Sequence, residues 1–208
     1  MAPCDGTCVP KSAVMLVAVA TLAIGAMRGM RPPLVALAAD DETTCPASAP
    51  KANLNFTLRD LDGRSIALRS FAGKVLLLDF WATWCGPCRI EIPGFVALAA
   101  RDKPLGVEVV GVLVQDDFAK ARPFSRDLGM TYPVLDGTDR RDIEQAFGPF
   151  ADLPMSYLIA RDGRVCRKHI GLPPVPNGTT DYKAAAQAVF DRELRQILGL
   201  GAPLSSSP

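Results

Sequence analysis

The residues from Lys74 to Phe80, KVLLLDF, form an apolar run interrupted by a single aspartate. Bounded by Gly73, such a run reads as a strand buried on both faces, at the centre of a sheet. Five residues past its end begins Cys85-Gly86-Pro87-Cys88. From Gly86 to about Arg101 the apolar residues return at helical spacing, with Ile90, Phe95, Leu98 and Ala99 on one face and Pro93 an expected kink. The chain therefore passes from a buried strand to a helix where two thiols stand three residues apart.

The segments around this junction alternate strand and helix. Leu54 to Leu68 reads as a β-hairpin turning at Asp62-Gly63, a dipeptide suited to the positive φ angles of a tight turn. Val107 to Val114, VEVVGVLV, is a second buried strand, and Asp116 to Leu128 reads as a helix. Tyr132 to Leu135 is a short strand, and Asp139 to Phe147 a short helix with Asp139 as its cap. Met155 to Ala160 and Arg164 to Ile170 flank Asp162-Gly163 as a closing hairpin. Asp181 to Leu198 is an amphipathic helix carrying Ala185, Val189, Leu194 and Leu198. The expected class is α/β, a central mixed sheet flanked by helices.

Two cysteines three apart at a helix start lie close enough for a disulfide to form and break in place. The unsatisfied amides of a helix N-terminus lower the pKa of a thiol placed there, and the thiolate is the reactive form. Cys85 gains most and is expected to be the exposed nucleophile. Cys88, one turn inside, would attack the mixed disulfide and release the product. Pro87 suits the first turn, where its missing N–H is no loss. A zinc site competes for the same spacing, but it needs a second ligand pair, and the one histidine, His169, has no cysteine pair near it. No metal and no cofactor are expected. A permanent structural bridge across so short a loop would stabilise little.

Charge excludes one class of partner. With 23 basic and 22 acidic side chains the net charge is +1, which is not the footprint of a nucleic-acid binder. Length argues for one catalytic domain behind a leader. Ser12 to Met27 is apolar and preceded by Lys11, and Ala36-x-Ala38 fits a signal-peptidase site. Arg28 and Arg31 follow the apolar run where a signal peptide normally carries no charge, which leaves an uncleaved membrane anchor as the alternative, and a start at Met27 or Met30 would give a basic n-region. Neither Cys8 nor Cys45 sits in a lipoprotein-like context. The expected organisation is a signal peptide or anchor over 1–39, a linker over 40–53, the folded domain over 54–199 and a disordered tail over 200–208.

Leu76 to Pro93, LLLDFWATWCGPCRIEIP, resembles the active-site segment of thioredoxins, and more closely that of the exported TlpA/ResA-like branch. Pro93 lies where that family has its kinking proline, and Ala151-Asp152-Leu153-Pro154-Met155 resembles its cis-proline loop. The resemblance implies a thioredoxin fold with an N-terminal β-hairpin and an extra strand and helix between Gly129 and Gly148. Asp79 and the Gly86-Pro87 dipeptide are thioredoxin-like departures from the ResA-like pattern. Glu91 matches a glutamate that tunes the cysteines in the family; an exposed helical acid paired with Arg89 is its ordinary alternative.

Around the dithiol, Asp79 is a candidate general base, because burial would raise its pKa towards neutrality. A cis Pro154 would turn the backbone of Leu153 towards the dithiol, where a substrate strand can hydrogen-bond. Trp84, Gly86 and Pro87 complete the expected substrate collar, Trp81 reads as core, and His169 as a satisfied surface residue. Cys45 and Cys166 would both be exported with the domain, and a structural disulfide between them is expected.

The function expected from these residues is reduction of disulfides in exported proteins, in the bacterial periplasm, by a soluble or membrane-tethered enzyme. Cytochrome c maturation or copper-site assembly would be its setting, with a membrane electron donor to recharge it. Peroxide reduction is rejected, because Ala82 stands where the peroxiredoxin cysteine needs a hydroxyl. The non-enzymatic rival is a copper chaperone holding Cu(I) between the two thiols.

Overall fold

In a computed structural model of the chain, residues 45–200 are described. The stretch read as a signal peptide or anchor, with Cys4 and Cys8, the first part of the expected linker and residues 201–208 lie outside them.

The described chain opens with an antiparallel hairpin, β1 (Thr57–Arg59) and β2 (Ser65–Ala67). The apolar run is β3 (Val75–Trp81), buried at every residue. Helix α1 (Gly86–Asp102), β4 (Val107–Leu113), α2 (Ala121–Asp127), β5 (Val134–Asp136) and α3 (Arg141–Phe147) follow. Strands β6 (Met155–Ile159) and β7 (Val165–Ile170) and helix α4 (Tyr182–Ile197) close the fold. The five-stranded sheet has the order β5-β4-β3-β6-β7, so the run before the dithiol is its central strand. Strands β4 and β5 are parallel to it, while β6 runs antiparallel to β3 and β7 antiparallel to β6. This is the expected mixed α/β class, with its leading hairpin.

Alternation along β3 assigns the two faces. Leu76, Leu78 and Phe80 pack with Phe56 and Leu58 of the hairpin and with Ile143, Phe147 and Tyr157. Val75 and Leu77 point the other way, against Phe95 and Leu98 of α1 and Phe190 and Leu194 of α4. Trp81 continues that second face, with Cys85, Cys88 and Ile92. Asp79 has the same parity, so the one aspartate of the run lies on the face that carries α1 and the dithiol.

Several local expectations are corrected. In both hairpins only the glycine has positive φ, Gly63 at 78° and Gly163 at 88°. Each glycine N–H closes a turn onto the residue three back, Asp60 or Ala160, which gives a three-residue loop with a left-handed last position. Asp139 does not cap α3; it has φ 54°, and Arg140 occupies the cap without a side-chain bond. The helix expected from Asp116 begins as a single tight turn over Phe118–Lys120 before α2. On α1 the buried side is Cys88, Glu91, Ile92, Phe95 and Leu98, while Ile90 is exposed. On α4 it is Ala186, Val189, Phe190 and Leu194, with Ala185 only half-buried and Asp181 accepting the Ala184 N–H as cap.

The stretch read as linker is laid in part on the sheet. Ala52 N–H donates to Gly163 O, Val165 N–H to Pro50 O, and Lys51 forms a bridge with Arg164. Cys45 is disulfide-bonded to Cys166 across a sequence separation of 121, and Arg164 donates to the carbonyls of Cys45 and Pro46. Backbone pairing fixes this segment, not apolar periodicity, which is why its composition reads as linker.

Candidate active site

Strand β3 ends at Trp81, and three residues later the chain turns into α1. Asp116 holds that turn: its carboxylate accepts the Thr83 N–H at 2.8 Å and the Thr83 hydroxyl. Burial alone would raise the Asp116 pKa, but the Thr83 and Asp117 donors outweigh it and hold the carboxyl at about 2. Trp84 Nε1 donates to Gln115 O at 3.1 Å, leaving 60% of the side chain exposed.

Cys85 caps α1 in extended conformation, and its Sγ accepts the Cys88 N–H at 3.1 Å. The two sulfurs are bonded to each other. Against the expectation of an exposed nucleophile, Cys85 in this oxidised form is only 3% exposed, and Cys88 is fully buried. Both sulfurs pack into the apolar cluster of Trp81, Ala82 and Ile92, and Leu153 lies against that cluster. Gly86, Pro87 and Arg89 are exposed around them. The Leu153-Pro154 bond is cis, and Pro154 O accepts the Gly171 N–H. A second cis bond, Gly148-Pro149, had no signal in the sequence reading.

Asp79, on β3, and Glu91, on α1, are both buried on the side of the sheet that carries the dithiol. Asp79 is fully buried, and its Oδ1 accepts the Ser156 hydroxyl at 3.3 Å. Glu91, one helical turn after Cys88, is buried, not the exposed acid of the alternative; Arg89 instead lies 4.4 Å over the Phe124 ring. Burial pushes the Asp79 carboxyl up to about 7, opposed by the Ser156 hydrogen bond. Burial, and then the Asp79 charge, push Glu91 well above the usual carboxylate range. Two adjacent carboxyls in an apolar setting cannot both be charged near neutral pH, so the pair retains a proton. His169 lies elsewhere, with Nε2 2.8 Å from Glu193 Oε2, and Trp81 is core, stacked on Phe124.

The sequence reading missed Asp116, Gln115 and Tyr132. Gln115 has φ 53°, and among the described residues only it and Asp139 are non-glycines at positive φ. A signal for Tyr132 did exist: Gly111 interrupts a buried strand, which marks a close approach of neighbouring groups.

A family model described as AhpC/TSA family matches residues 48–168, more than half of the chain. The chain belongs to the AhpC/TSA family. The match includes the dithiol, both carboxyls and the cis-proline loop. The thiol-disulfide oxidoreductase ResA of Bacillus thuringiensis is 35% identical over 118 residues, 56% of this chain and 66% of that protein. This chain thus aligns with just under two thirds of that relative's length. ResA of Halalkalibacterium halodurans is 34% identical over 125 residues, 60% of this chain and 70% of that one. Among solved structures, a thiol:disulfide interchange protein of the thioredoxin family from Chlorobium tepidum superposes with TM-score 0.61 at 28% identity, covering 74% of this chain and 99% of that one. Its likeness agrees with the thioredoxin-type sheet order found here for this AhpC/TSA member.

Proposed function

We propose that this chain is a thiol:disulfide oxidoreductase that reduces disulfides of exported proteins through Cys85 and Cys88. The observation that carries the reading is a disulfide at the N-terminus of α1, on the same face of the sheet as two buried carboxyls, Asp79 and Glu91. In the reduced protein the Cys85 thiolate, favoured by the helix N-terminus and by the Cys88 N–H, attacks one sulfur of the client disulfide. A bond forms between Cys85 and that sulfur, and the client's other sulfur leaves as thiolate. Cys88 then loses its proton to the ionised member of the Asp79–Glu91 pair and attacks Cys85. The Cys85–Cys88 bond forms, the mixed disulfide breaks, and the client's second thiolate departs. Two electrons have moved to the client, and its thiolates take up two protons.

Trp84, Gly86, Pro87 and the Leu153-Pro154 loop form the surface that a client segment would meet. Names of the relatives support the redox reading. The finer assignment is a periplasmic reductase, released or tethered through its leader, recharged by a membrane donor and serving cytochrome c or copper-site cysteines. Among the described residues no helix is long and apolar enough to cross a membrane. Insulin reduction with dithiothreitol as electron source tests the activity. Turnover abolished by Cys85→Ser supports it; tight Cu(I) binding without turnover in the unmutated protein would favour the chaperone.

A further inference from the structure

Among the described residues, the buried side-chain polar atoms without a hydrogen-bond partner belong to four residues: Asp79, Trp81, Glu91 and Tyr132. Buried polar atoms are normally satisfied, and orphans scattered through a core would be unrelated accidents. These lie in one place. Across the sheet, Asp79 pairs with Ser156 on one side and Gly111 on the other, and the Gly111 N–H donates to Pro133 O, the residue after Tyr132. A Cβ on Gly111 would stand 2.8 Å from Trp81 Nε1 and 3.3 Å from the Tyr132 ring. The missing side chain at 111 is therefore the gap into which the indole and the tyrosine converge, beside Asp79. Two donors, the Tyr132 hydroxyl and Trp81 Nε1, stand by three carboxyl oxygens, Asp79 Oδ2 and both of Glu91, for which the one proton held by the pair supplies a single donor.

We propose that Tyr132 is a positioning residue for the redox proton: its hydroxyl, with Trp81 Nε1, supplies the donors that stabilise the ionised member of the Asp79–Glu91 pair. This rests on the reading of that pair as acceptor of the Cys88 proton. The groups facing the compartment are Asp79 from β3, Glu91 and Cys88 from α1, and Tyr132 itself; β4 contributes Gly111 and β6 Ser156. Burial, and then the two carboxyl charges, keep the phenol protonated well above its usual range, so it donates at every working pH and never releases its own proton. A hydrogen bond given to a carboxylate favours the charged form. Neither donor has a partner within direct reach in this oxidised form, so the bond runs through an enclosed water, whose donation to the carboxylate has the same sign. Without Tyr132 the pair would grip its proton more tightly and accept that of Cys88 only at higher pH.

The test is an infrared titration of the carboxyl C=O stretch in the oxidised full chain, which needs no turnover and so stands apart from the fate of the redox reading. Tyr132→Phe is expected to move the midpoint of the pair up by about one pH unit, and to shift the pH profile of insulin reduction the same way, with kcat falling below neutral pH and KM unchanged. An unmoved or lowered infrared midpoint in the folded variant overturns the proposal, whatever happens to turnover. If Tyr132→Phe fails to fold, Trp81→Phe, which removes the other donor, is judged by the same criterion.

Discussion

Asp79→Asn should make the oxidised protein more stable at alkaline pH. The Asp79 carboxyl titrates at about 7 in the folded protein, raised by burial, against 3.8 for the unperturbed group. Below 3.8 both folded and unfolded chains hold the proton, and the group adds no pH-dependent cost. Between 3.8 and about 7 the unfolded chain has released it while the folded protein keeps it. Fewer protons are bound in the unfolded state, so stability falls as pH rises, by about 1.4 kcal/mol per pH unit. Above 7 the accumulated penalty levels off near 4 kcal/mol, an order-of-magnitude figure because Glu91 titrates with it. Asparagine keeps an oxygen for the Ser156 hydroxyl and removes the charge, which also relieves Glu91. Urea unfolding of both oxidised proteins at pH 4 and pH 8 measures the effect. The variant is expected to match the natural sequence within about 1 kcal/mol at pH 4 and to exceed it by about 2–4 kcal/mol at pH 8. Equal stabilities at pH 8 would refute the claim that this buried acid is held protonated by its surroundings.

Replacing Cys45 and Cys166 together by serine frees a loop closed over a separation of 121 residues. Chain entropy sets the loss close to 5 kcal/mol, and an unchanged denaturation midpoint would show that the bridge is not formed in the folded protein. Gly111→Ala places a methyl 2.8 Å from Trp81 Nε1. The rigid indole must shift, at a cost of about 1–3 kcal/mol read by thermal unfolding, with altered Trp fluorescence.

What the sequence made legible was whatever local chemistry determines. The run Leu76–Phe80 cannot be other than a central strand, and the dithiol after it can only open α1. The site beneath was half legible. Asp79 stands out as the one charge in an apolar run. Glu91 does not, because its burial depends on which side of α1 meets the sheet. Ile90 and Ile92 argue for different sides, and the helix turns Ile92 inward. Tyr132 and Asp116 act on residues about 30 to 55 positions away, and only the crossovers of the sheet bring them there. Cys45 is placed by main-chain pairing along Pro50–Ala52, which leaves no periodic trace in the side chains.

The bridge at Cys166 has a mechanical consequence. In the sheet, Ile170 pairs with Met155 at the dithiol end, whereas Val165 pairs with Ile159 at the other. Cys166 therefore lies near the far end of β7, with most of the roughly 20 Å length of β3 between it and the active site. Any pull on the chain ahead of residue 45 meets a covalent bond to β7 before it reaches the segment Pro46–Ala52, so the load passes into the sheet instead of peeling that segment away.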